Sequence, residues 1–209
     1  MLLLFFIAEV FMVDAKLYDS VIRAIIQNLS NSENLKENFL HARNTLQWTE
    51  SFCQDVDDTM KIAALGHDLE CALQHRLQPK DYSGYSAYRD AVAVESAKLM
   101  KSIMQRCEAD DAVIKEVCYL IKHINDNNPS DERAYILGNA DATSFLDVGL
   151  FFYCKHNDEK TTTERCMWEY RRLSDKAKEQ VQKFYFYDSS VNKYIAKLTK
   201  TAKPSLINA

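Results

Sequence analysis

Glycine and proline are scarce, 4 and 3 in 209 residues. Turns that need a positive φ or a fixed kink must therefore be few, which argues against a multi-stranded β architecture. No Pro/Ser-rich linker, low-complexity tract or internal repeat divides the chain, so one domain over residues 1–209 is expected. Basic excess is lacking too: 26 Lys+Arg stand against 30 Asp+Glu, a net charge of -4. An extended nucleic-acid surface is not expected, whereas a small phosphorylated ligand needs only a local cluster of cations. The six cysteines never fall as C-x-x-C, which weakens a structural-zinc reading. Most lie among apolar residues at helical spacing and read as small buried hydrophobes in a reducing, cytoplasmic setting.

Long apolar runs are also missing. The stretch Met1 to Val13 is too short to span a bilayer, contains Glu9, and has no basic segment ahead of it. A first helix packed on the core is the preferred reading of these residues. A start at Met12 and an atypical signal or anchor are the alternatives. No membrane partner is expected.

What the chain has is helical periodicity. A first helix is expected near Lys16 to Asn28. Ser30-Asn31-Ser32 then supplies turn and N-cap chemistry for a second. That helix carries Leu35, Phe39, Ala42, Leu46, Thr49 and Cys53 as a core stripe, beside His41, Thr45, Trp48 and Phe52. Asp57-Asp58 open a third helix with Met60, Ala64, His67 and Cys71 on one face. After a loop over residues 78–84, helices are expected near Ser86 to Arg106, Asp111 to Asn125 and Asp131 to Lys155. The last of these sets Leu137, Asp141, Ser144 and Val148 on one side. Two more, around Trp168 to Leu173 and Lys176 to Phe186, close an all-α, single-domain bundle.

His41, His67-Asp68 and Asp141 thus fall on core-facing sides of three helices. Buried carboxylates and imidazoles are costly unless compensated, and one divalent cation compensates all four. Mixed nitrogen and oxygen donors suit one Mn, Fe, Co, Ni or Zn ion rather than calcium. Asp147 competes with Asp141 as the last carboxylate, and Asp141 is preferred.

The order H…HD…D resembles the pattern of HD-domain metal-dependent phosphohydrolases, over about residues 35–150. Leu40-His41-Ala42-Arg43 resembles that family's opening helix, and Ala63-Ala64-Leu65-Gly66-His67-Asp68 its "AALLHD" helix. Asn139-Ala140-Asp141-Ala142 through Asp147 resembles its closing "DAD…LD" element. Gly84-Tyr85-Ser86-Ala87-Tyr88-Arg89 is a looser match to a "GY-x-x-WR" element of a smaller bacterial and fungal branch. The resemblance implies hydrolysis of a nucleotide or another small phosphorylated metabolite. His41, His67, Asp68 and Asp141 would be the metal ligands. Arg43 and Lys122 would contact phosphate, and Glu70 or His123 would carry a proton. Two-metal members have a further histidine where this chain has Val92, so one metal is expected, with Glu95 a weak substitute. His75 and His156 read as surface residues, Arg171-Arg172 and Lys193 to Lys203 as solvated faces, and Tyr82, Tyr85 and Tyr88 as packing before pocket lining. A non-catalytic metal- or nucleotide-binding module and a di-iron oxygenase are the alternatives.

Overall fold

The computed structural model describes residues 14–32 and 34–201, so the expectations for Met1 to Val13 lie outside the described residues. Helix α1 (Ala15–Leu29) starts at Asp14, whose carboxylate accepts from the Lys16 N–H, and buries Val21, Ile25 and Leu29 one turn apart. Helix α2 is Leu35–Phe52. Its deeply buried face is Ala42, Thr45 and Thr49, while Leu35 is exposed. The expected stripe is therefore rotated toward the His41–Thr45 side, because α2 lies along the polar centre of the bundle as well as its apolar core.

Helix α3 (Asp58–Gly66) is capped by Asp57, which accepts from the Met60 N–H at 2.9 Å. It ends before His67, and a 3-10 turn, Leu69–Ala72, follows. Met60, Ala64, His67 and Cys71 are all buried as expected, but they span a break rather than one continuous helix. A second 3-10 turn, Pro79–Asp81, occupies the expected loop. Helices α4 (Tyr85–Arg106) and α5 (Asp111–Lys122) pack against each other.

The expected helix over 131–155 begins as α6 (Glu132–Ser144), capped by Asp131, and runs through a π-helical turn, Phe145–Gly149, into α7 (Leu150–His156). The closing region holds α8 (Glu159–Arg172), α9 (Asp175–Val181) and α10 (Ser189–Thr201) rather than two helices, and Phe186 lies between the last two. Among the described residues there is no strand, and the fold is all-α.

Two apolar clusters fill the interior. One joins α1 to α5 with Ala134 and Leu137 of α6; the other joins the π turn with α7 to α10 and Ala142. Each fully buried aliphatic side chain, such as Ile62, Leu120 or Leu146, contributes about 1.5–3 kcal/mol. Asp141 falls between Leu137 and Ala142, at the seam of the two clusters, and is fully buried. Helix α6, packed on α2 along much of its length, brings that carboxylate beneath His41. No described helix is long and apolar enough to cross a membrane.

Candidate metal centre

Because α3 stops at Gly66, the Ala64 carbonyl has no helical partner beyond the break. The His67 Nδ1–H donates to it at 2.8 Å. That fixes the tautomer of a neutral ring and leaves a lone pair on His67 Nε2. Ser144, at the end of α6, donates its hydroxyl to the His41 carbonyl of α2 at 3.1 Å, so its oxygen accepts from His41 Nδ1 at 2.9 Å. His41 Nε2 is then also a lone pair.

Both lone pairs face Asp141 Oδ1, His41 Nε2 at 3.1 Å and His67 Nε2 at 3.3 Å. The two Nε2 atoms are 3.2 Å apart. Three acceptors in a buried triangle repel one another unless a positive charge sits among them. Ligand bonds of about 2.0–2.2 Å give edges of about 3.0–3.4 Å in octahedral or tetrahedral sites. The observed triangle falls in that range, so the donor set fits a borderline divalent metal. Asp68 contributes a carboxylate oxygen to a cluster with His41 and His67 in which all ligand atoms lie within 4.8 Å. The other Asp141 oxygen, Oδ2, is buried without a hydrogen bond.

Three buried arginines surround these carboxylates. Arg89 Nη1 lies 3.0 Å from Asp68 Oδ1, and its Nη2 is 3.8 Å from Asp141 Oδ2. Arg172 Nη1 is 3.7 Å from Asp141 Oδ2 and 2.9 Å from Glu169 Oε2. Arg165 pairs with the other Glu169 oxygen at 2.5 Å. Burial raises the Asp68 pKa, but Arg89 and the histidines more than reverse this and hold it at about 2. Burial likewise opposes ionisation of Asp141, yet the adjacent His41 and His67 rings, which donate to it when protonated, and the Arg89 charge hold it well below the usual carboxylate range. For His67, burial disfavours the cation, but the imidazolium would donate to Asp141 and feel its charge, which outweighs burial, so its pKa is raised.

A cavity of about 270 Å³ opens over the site, lined by His41, Asp68, Arg89, Arg76, Glu37, Tyr85, Tyr88, Tyr153 and His156, among others. Burial raises the Glu37 pKa against the opposing influence of His156 and His41.

The geometry brings His41 and His67 together with Asp141 in one triad and with Asp68 in another. Asp147 instead accepts from Asn44 and Trp48 at 3.1 and 3.0 Å, a structural role. The other expected site residues lie elsewhere. Arg43 is exposed on the outer side of α2. Lys122 and His123 line a separate groove between α4 and α5, with His123 Nδ1 2.6 Å from Asp126 Oδ2. Glu70 is buried, but its carboxylate accepts from the Leu77 N–H and lies 3.7 Å from Arg76 Nε, which ties it to the loop after the 3-10 turn. Val92 is buried in α4 and Glu95 pairs with Lys98, so no second ligand set adjoins the first among the described residues. Arg172, expected on a solvated face, is buried. Tyr85 and Tyr88 line the cavity, and His156 is exposed at its rim.

The cations of this site are Arg76, Arg89, Arg165 and Arg172. Nothing in their local sequence marks them except the position of Arg89 in the Gly84–Arg89 element. Glu37 lies one helical turn before His41, a signal available on a helical wheel.

The family model described as "Domain of unknown function (DUF4202)" matches residues 24–203, and the chain belongs to that family. No curated protein and no solved structure gives a significant match.

Proposed function

We propose that this member of the DUF4202 family is a metal-dependent phosphohydrolase acting on a nucleotide or another small phosphorylated metabolite. The observation that carries the reading is the triangle of His41 Nε2, His67 Nε2 and Asp141 Oδ1, whose tautomers aim three lone pairs at one point. One divalent Mn, Fe, Co, Ni or Zn ion held there, with Asp68 as the fourth ligand, supplies a Lewis acid that acidifies water and polarises a phosphoryl oxygen.

Charge balance favours a phosphate dianion as the partner. The buried arginines 89, 165 and 172 are matched by Asp68, Asp141 and Glu169. With both histidines neutral, that set sums to zero, so a divalent cation leaves an excess of two positive charges. A phosphate monoester dianion in the cavity cancels it. Arg89 keeps both site carboxylates ionised, and Arg76 offers a further cation at the cavity wall. Glu37, a cavity carboxyl raised in pKa by burial, is placed to hold the proton that a departing alkoxide takes up. Tyr85 and Tyr153 give the organic part of the substrate an aromatic wall. The free cysteines suit the reducing, cytoplasmic setting expected from the sequence.

The test is elemental analysis of the purified protein, followed by a panel of phosphomonoesters with each divalent metal added. About one metal per chain and metal-dependent phosphate release are expected, both lost in His67→Ala and Asp141→Asn. Release that persists in both variants, or a protein that takes up no metal, removes the reading. Metal uptake without turnover of any phosphoester leaves the non-catalytic module in its place.

A further inference from the structure

The groove that holds Lys122 and His123 is not used by the metal centre, and its composition is unlike that of the chain as a whole. In a protein of net charge -4, the wall from α4 carries Lys98 and Lys101 and the wall from α5 carries Lys115 and Lys122. The space between them is about 500 Å³, with Ala97, Ile114 and Cys118 at its apolar base. No aspartate or glutamate lines it. Lys98 is paired with Glu95 at 2.8 Å, and no ion pair engages Lys101, Lys115 or Lys122 among the described residues. The acids nearby are committed elsewhere, Asp126 to His123 and Asp131 to the Tyr119 hydroxyl at 2.6 Å.

Like charges gathered in a concavity repel one another, and the folded protein bears that cost unless an anion enters. Lys115 and Lys122 are two turns apart on one helix, about 10 Å, opposite the one-turn pair Lys98 and Lys101. One phosphate is too small to reach both ends of the groove, while a linear chain of two or three linked phosphates spans it. An extended nucleic acid needs a longer basic track than the acidic remainder of the surface provides. We propose that the groove between α4 and α5 is a binding site for a small polyphosphate anion. The polyphosphate comes either as a free inorganic chain or as the tail of a nucleoside triphosphate. In the second case the half-exposed Tyr119 ring, packed 4.3 Å from that of His123, offers a face to the base.

The full-length, isotopically labelled protein is titrated with inorganic tripolyphosphate in the presence of a chelator, following backbone amide shifts. Saturable shifts are expected at residues 97–101 and 114–123, with a dissociation constant that weakens as salt is added. The double variant Lys101→Ala/Lys122→Ala, both positions exposed and outside the core, weakens binding about tenfold while its circular dichroism stays that of the parent. A parallel titration with ATP separates the sources: equal affinity means that only the phosphate chain is read, and tighter binding with a Tyr119 shift adds the base. Both support the site. Shifts confined to His41, Asp68 and Arg89, unchanged affinity in the double variant, or no binding at about 1 mM ligand overturn it. So does a single-stranded RNA that binds more tightly than tripolyphosphate.

Discussion

Gly138 sits on α6 directly against the carbonyl of Ile124, and a Cβ added there would fall inside the van der Waals limit of that backbone oxygen. The same oxygen accepts from Arg172 Nη2 at 2.9 Å, while Arg172 Nη1 reaches Glu169 and faces Asp141. The close approach of two backbones therefore sets where one cation stands behind the candidate metal ligand. Gly138→Ala cannot be absorbed by a side-chain rotation, because the obstacle is main chain. A loss of about 1–3 kcal/mol is expected, read as a lower denaturant midpoint. Wild-type stability in that variant would mean that the helices separate freely here.

A cation that binds only the folded chain stabilises it by about 2.7 kcal/mol at a hundred times its dissociation constant. Melting temperature should rise with Mn²⁺ or Zn²⁺ and fall again with chelator. In His67→Ala the rise disappears. A rise of the same size in that variant would place the cation somewhere else.

Glu169 is fully buried between Arg165 and Arg172. Glu169→Gln keeps the shape and removes the charge that compensates both guanidinium groups, leaving them unmatched beside Arg89. Breaking a buried pair from one side costs about 3–5 kcal/mol. The check is chemical denaturation of the variant. A change below about 1 kcal/mol would show that water reaches these arginines.

At the protein surface, Glu159 receives the Lys193 and Lys197 ammonium groups of α10 at 2.7 and 2.6 Å. These hydrogen bonds hold its pKa down at about 2. A depressed carboxylate stabilises the fold above its unfolded value, near 4.5, and that contribution is lost as pH falls toward 2. Glu159→Gln should melt below the parent at pH 6, and the two curves should converge as pH approaches 2. A gap that stays constant over that interval would refute the linkage.

Burial raises the thiol pKa of Cys71 and of Cys118, and takes that of Cys166 to about 12. The thiolate is the reactive form, so these three should resist alkylation in the native protein at pH 8 while partly exposed Cys53 and Cys107 react. Mass spectrometry of the labelled protein gives the answer, and early labelling of Cys166 would contradict the packing around α8.

Much of this was legible from spacing. The 4-3-4 stripe through Met60, Ala64, His67 and Cys71 identified a buried face, and Asp57 and Asp131 cap helices where helix starts were expected. The break after Gly66 was not legible, since Leu69-Glu70-Cys71-Ala72 has ordinary helix propensity and tertiary contacts, including the Glu70 N–H to Ser96, decide its 3-10 form. The cluster of His41 and His67 with Asp68 and Asp141 was readable as a candidate because buried polar residues on apolar faces are unusual. Its cations were not, because an arginine buried against a carboxylate from another helix has the same local sequence as one in water. Arg89 and Arg172 look like Arg43 until the fold brings Asp68 and Asp141 to them.

The π turn at Phe145–Gly149 has a consequence for how one continuous rod serves the cavity twice. In an uninterrupted α-helix, Tyr153 would stand about 120° around the axis from Asp141; accommodating one extra residue in a wide turn brings that offset to about 20°. The bulge thus rephases the helix, so that its first half sets a buried carboxylate beneath His41 and its second half gives the cavity wall a phenol. Were that turn tightened to α geometry with all its residues kept, Tyr153 would swing about 100° around the axis, away from the side of Asp141.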